Sequence, residues 1–296
     1  MIDDRCNRPR AAEENGGARV LSITAWDGLP LSVRVWGRLE DAGRKPLFCL
    51  PGLVRTGADF ARLAGCFAGR RGVVAVDYAG RGQSARSPDA RRYAAEACMQ
   101  DVLEIASALH LERVVAVGTS FGGLLAMGIA AARPGLLSGV VLNDIGPEIG
   151  QAGTAAIRSF LAESPELDNL EAAVCHLRDW LPHLGITSDE GWREFARLTY
   201  APGANGHWEP LWDERIAQLL AAPVPDLWPF FGALAHLPVL LVRGGMSEIL
   251  LPETVARMRD VHPGLSVVEV PGIGHAPTLA EPAVVSALDE FLPPLD

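Results

Sequence analysis

Six short, almost wholly apolar runs punctuate this chain, at residues 46–50, 72–77, 114–117, 140–143, 239–242 and 266–270. Between most of them lie longer, alanine-rich segments of helical period, clearest over 58–68, 93–109 and 124–133. An apolar run of this length without alternation is a strand buried on both faces. Strand–helix alternation places such strands in a parallel sheet covered by helices. Residues 20–37 add two strands joined through Trp26-Asp27-Gly28-Leu29-Pro30, where Asp-Gly is a hairpin signal. The expected fold class is therefore α/β, with a mostly parallel eight-stranded sheet.

The rhythm stops between Gly146 and His236, a stretch with helical pattern, repeated prolines and Trp180, Trp192, Trp208, Trp212 and Trp228. We read residues 147–236 as a helical cap over the carboxyl edge of the sheet, where open α/β sheets place their ligands. Residues 18–146 and 237–296 form the core in this division, and 1–17 a flexible tail. Trp180, Trp212 and Trp228 are candidate pocket residues.

Most of the chemistry is carried by one turn. Val114-Val115-Ala116-Val117 runs into Gly118-Thr119-Ser120-Phe121-Gly122-Gly123 and then into helical sequence. Strand before and helix after give the GxSxG pattern its meaning: a serine presented on a sharp turn, with small residues where side chains would collide. A hydroxyl is a weak nucleophile at neutral pH and needs a base held by an acid. His275, in the loop after the last expected strand, is the candidate base. Glu248, in the loop after 239–242, is the first choice of acid and Asp144, directly after 140–143, the alternative. The backbone N–H groups of Leu53 and Phe121 are the expected oxyanion donors, and Arg55 is a candidate pocket cation.

Charge and composition remove other classes. The formal charge is −10, with no clustered basic face of the kind a phosphate backbone requires, which excludes nucleic acid. No run approaches the ~18 apolar residues of a membrane span, and residues 1–20 lack a signal-peptide core. The five cysteines are scattered and without CxxC spacing, so free thiols in a reducing, cytoplasmic setting are expected, with no metal and no cofactor.

Taken in order, these residues resemble the alpha/beta-hydrolase fold superfamily, over nearly the whole chain after Val20. Asp77-Tyr78-Ala79-Gly80-Arg81-Gly82-Gln83-Ser84 resembles the D-x-x-G-x-G-x-S loop of many members. Leu142-Asn143-Asp144-Ile145-Gly146-Pro147, Asp226-Leu227-Trp228-Pro229 and Gly274-His275-Ala276-Pro277 resemble a capped bacterial serine hydrolase or esterase branch. Pro51 stands where many members carry histidine, and Ser247-Glu248 where relatives usually carry aspartate. The resemblance implies a cofactor-free enzyme acting on a small-molecule ester or lactone, as a monomer or homodimer. The alternatives are a hydrolase of carbon–carbon bonds in ring-fission dienones and a non-catalytic binding protein of the same fold.

Overall fold

The structure is a computed structural model and describes residues 17–40, 43–221 and 225–296. The expected tail at 1–17, apart from Gly17, lies outside the described residues, as does Cys6. Eight strands form one sheet: β1 (Arg19–Thr24), β2 (Pro30–Trp36), β3 (Leu47–Leu50), β4 (Val73–Val76), β5 (Val114–Thr119), β6 (Leu137–Asn143), β9 (Val239–Gly244) and β10 (Ser266–Val270). Their order is β1-β2-β4-β3-β5-β6-β9-β10. β2 pairs antiparallel with β1 and with β4, and every later pairing is parallel.

Side chains alternate between the two faces of each strand, so the central strands feed two cores. On β5, Val114 and Ala116 join the cluster containing Val102 and Ile105 of α2 (Ala95–Ala108) and Leu125 and Ile129 of α3 (Phe121–Ala132). Val115 and Val117 join the opposite cluster, with Leu63 and Phe67 of α1 (Ala61–Phe67) and Val284 and Leu288 of α9 (Pro282–Phe291). Burial on both faces is why these strands read as continuous apolar runs rather than alternating ones.

Between β6 and β9 run α4 (Gln151–Ala162), α5 (Leu170–Trp180), α6 (Asp189–Arg197), a ribbon of β7 (Tyr200–Pro202) and β8 (Trp208–Pro210), and α7 (Trp228–Gly232). After β9 comes α8 (Pro252–Val261). The inserted segment touches three loops at the carboxyl edge. Gly82 N–H donates to the Leu211 carbonyl and Asp213 N–H to the Gly80 carbonyl, both at 2.7 Å. Arg55 Nη1 donates to Thr199 Oγ1 at 2.6 Å. Gly274 N–H donates to the His183 carbonyl at 2.6 Å.

No described helix is long and apolar enough to cross a membrane. Cys49, Cys98 and Cys175 are free thiols. Cys66 is disulfide-bonded, which corrects the expectation of free thiols at that position. Spacing along the chain does not reveal which cysteines folding brings within bonding distance.

Candidate active site

The strand-to-helix turn forces Ser120 into a left-handed conformation, φ 51° and ψ −118°, that non-glycine residues rarely adopt. Its N–H is held by the Asn143 carbonyl at 3.0 Å. Close packing explains the flanking glycines. A Cβ on Gly118 would lie 2.5 Å from the Gly122 carbonyl carbon, and one on Gly122 would overlap the Leu50 carbonyl. That second contact presses the first turn of α3 against the loop following β3. A Cβ on Gly52 would lie 3.9 Å from Ser120 Cβ. Among the described residues, the N–H groups of Leu53 and Phe121 have no acceptor. Two unused donors therefore flank the serine, one of them at the positive end of α3.

The imidazole of His275 is placed by the loop after β10. Its Nδ1 lies 2.7 Å from Asp144 Oδ2. A carboxylate only accepts, so Nδ1 carries the hydrogen and Nε2 is left free to take a proton. Asp144 is fully buried and sits at φ 55°, a turn that aspartate tolerates better than most residues. Its Oδ1 accepts from Gly244 N–H at 2.9 Å, and its Oδ2 also accepts from Ser247 Oγ at 2.5 Å.

The first-choice acid, Glu248, is not on the imidazole; the contact belongs to Asp144. Ser247 explains this. Its hydroxyl accepts from Ile249 N–H and Leu250 N–H while donating to Asp144, which keeps Ser247 buried and turns Glu248 out to an exposed position. Asn143 was likewise not singled out from sequence. Its Nδ2 donates to Thr119 Oγ1 at 3.0 Å and to the Pro277 carbonyl at 2.8 Å, tying the Ser120 turn to the His275 loop. The one sequence signal for Asn143 is its place at the end of β6, and for Ser247 its place in the loop after β9.

The pocket candidates fall in several places. Arg55 makes two hydrogen bonds to Asp59, both at 2.7 Å, and lies 4.4 Å over the Phe195 ring. Its charge is thus matched within the protein. Trp212 is buried between Phe160 and Tyr200. Trp180 Nε1 donates to Glu163 and its ring packs edge-on to Phe160. Trp228 Nε1 donates to Glu148 and Arg257 covers its ring. All three indoles serve packing within the insertion or along its flank.

The loop after β4 supports the site from behind. Asp77, wholly buried, accepts both from Arg34 Nη1 at 2.8 Å and from Gly57 N–H at 2.7 Å. Burial raises the Tyr78 hydroxyl well above its ordinary range. It stays protonated and donates to the Pro51 carbonyl at 3.2 Å. Among the described residues, no group of three or more His, Cys, Asp or Glu side chains is arranged to hold a metal ion.

Comparison with known proteins shows the family. The family model described as "Alpha/beta hydrolase family" matches residues 47–288. The 3-hydroxybutyrate-oligomer hydrolase of Cupriavidus necator is 34% identical over 86% of this chain and 90% of its own length. The 2-(acetamidomethylene)succinate hydrolase of Mesorhizobium japonicum is 26% identical over 88% of this chain and 92% of its own. Among solved structures, an alpha/beta hydrolase from Novosphingobium aromaticivorans superposes with a TM-score of 0.87. It has 35% identity and covers 93% of this chain and 98% of that one.

Proposed function

The chain belongs to the alpha/beta hydrolase family, and we propose that it is a serine hydrolase cleaving a carboxylic ester or lactone through an acyl-enzyme on Ser120. The observation that carries this reading is the Asp144–His275 contact at 2.7 Å, on the same sheet edge as a strained serine and two N–H groups without acceptors. Ser120 Oγ attacks the ester carbonyl and passes its proton to His275 Nε2. Asp144 holds Nδ1–H and stabilises the imidazolium. The N–H groups of Leu53 and Phe121 receive the oxyanion. Collapse breaks the acyl–oxygen bond, and the alcohol leaves with the proton from His275. Water, deprotonated by the same nitrogen, then attacks the acyl carbon, the bond to Ser120 Oγ breaks as His275 returns the proton to Oγ, and the acid leaves.

In this reading residues 147–236 are a cap that shapes the cleft over Ser120. Oligoesters of 3-hydroxybutyrate are the first substrates to try, since the Cupriavidus necator relative is named for them. Arg55, the candidate carboxylate partner of the ring-fission alternative, is matched by Asp59.

The test uses a short p-nitrophenyl ester, a 3-hydroxybutyrate dimer and a fluorophosphonate label. Wild type should turn over and label, and Ser120→Ala should do neither. Asp144→Asn should lower kcat by roughly 10³–10⁴-fold, as when a triad carboxylate is neutralised, with Glu248→Gln within about twofold of wild type. Turnover of a dienone but of no ester would overturn the ester reading. A larger loss in Glu248→Gln than in Asp144→Asn would overturn the acid.

A further inference from the structure

Arg81 is the most voluminous fully buried side chain, 1% exposed, and among the described residues no carboxylate pairs with it. A guanidinium does not lose its proton in a protein, so a full positive charge is buried without a counter-charge. Such a charge costs stability that an apolar side chain of similar volume would not. Its contacts indicate what the charge serves. Nε donates to the Leu53 carbonyl at 2.5 Å and Nη1 to the Ala79 carbonyl at 2.9 Å. The cation lies 5.7 Å from the Phe121 ring and 5.4 Å from the Tyr78 ring, while Nη2 is buried with no acceptor. Both residues given the oxyanion donors are therefore touched by this one side chain.

The loop geometry sharpens the point. The Gly52–Leu53 peptide, whose N–H is the proposed donor, is held at its carbonyl by Arg55 N–H at 3.1 Å. The next peptide is held at its own carbonyl by Arg81. Leu53 Cα, the pivot between them, is fixed from both sides. We propose that Arg81 is the positioning residue of the oxyanion hole: it locks Leu53 and places an unmatched positive charge behind the site where negative charge develops. This rests on the serine-hydrolase reading. In a water-poor interior, a fixed charge acts on a developing oxyanion far more strongly than it does in water.

The test compares Arg81→Met and Arg81→Lys with wild type by ester kinetics, thermal melting and two inhibitors. Butylboronic acid forms a tetrahedral adduct on serine, whereas butyramide resembles only the ground state. Arg81→Met should lose roughly 10²-fold in kcat with KM within about threefold. Its boronate affinity should fall in parallel and its butyramide affinity should stay unchanged. Arg81→Lys, which keeps the charge but not the fork, should fall between the two. If the methionine variant does not fold, the lysine variant is read by the same criteria. Wild-type kcat in either folded variant overturns the proposal, as does equal loss of affinity for both inhibitors. A wild type that neither labels nor turns over ester overturns the serine-hydrolase reading, and the role of Arg81 with it. A labelled wild type beside an equally active Arg81→Met variant overturns Arg81 alone.

Discussion

Ser247 occupies the loop where a triad carboxylate is usual, yet its hydroxyl serves the carboxylate on the neighbouring strand. Removing it leaves a fully buried Asp144 oxygen with the imidazole as its one remaining partner. Ser247→Ala should cost about 1–3 kcal/mol of stability, read by denaturant unfolding. It should also lower kcat more than it raises KM, because the imidazole loses its fixed direction. A variant with reduced stability but wild-type kcat would show that Ser247 does not orient the base. At this scale the sequence was informative about Ser120 and His275, whose positions follow from chain order and the strand–turn–helix context. It favoured Glu248 over Asp144, whereas the imidazole contact at 2.7 Å is made by Asp144. Both lie in loops that follow strands at the same edge, and which of them meets the imidazole depends on a hydroxyl that turns one loop residue inward and the next outward.

The apolar runs predicted six strands of the sheet and the Asp-Gly hairpin signal the other two; in the central strands continuous burial writes itself into continuous apolar runs. The β7–β8 ribbon left no such trace. Its strands, Tyr-Ala-Pro and Trp-Glu-Pro, are too short to show a period and carry proline, which argues against a strand on sequence grounds. The ribbon leads into the segment that docks on the loop after β4, where Asp213 is the electrostatic anchor. Burial opposes ionisation of Asp213, but hydrogen bonds from Arg215 and Tyr93 outweigh it and lower its carboxyl from an ordinary 3.8 to about 2. A carboxyl with a depressed folded pKa contributes stability above its unfolded value and loses it as pH falls through the folded one. The contribution is therefore present above about pH 4 and disappears toward pH 2, and is worth about 2 kcal/mol. Asp213→Asn should be less stable than wild type by about that amount at neutral pH, with the gap closing as pH falls through this window. A gap independent of pH would assign the loss to packing instead.

Across the whole molecule, the sheet brings to one edge residues that lie far apart in sequence, from Leu53 to His275. The insertion closes on the same edge through the loops at Arg55, Gly80 to Gly82 and Gly274. The sequence suggested the insertion's place through the break in alternation, but not its contacts: the backbone hydrogen bonds leave no side-chain signature, and the side-chain ones, such as Arg55–Thr199 and Tyr93–Asp213, join residues far apart in sequence. One of these contacts yields a natural reporter. The Gly274 amide is bonded to the insertion at the His183 carbonyl and lies one residue before His275. Its hydrogen can exchange with solvent only when that bond opens. In hydrogen–deuterium exchange, this amide should be exposed each time the insertion lifts, while amides of β5 and β6 wait for global unfolding. An inhibitor bound covalently to Ser120 that holds the insertion down should slow it selectively. If the Gly274 amide exchanges as slowly as the central strands in the free enzyme, the insertion and the histidine loop open only together with the sheet. If it exchanges quickly, one peptide proton reports how often the insertion lifts from the His275 loop.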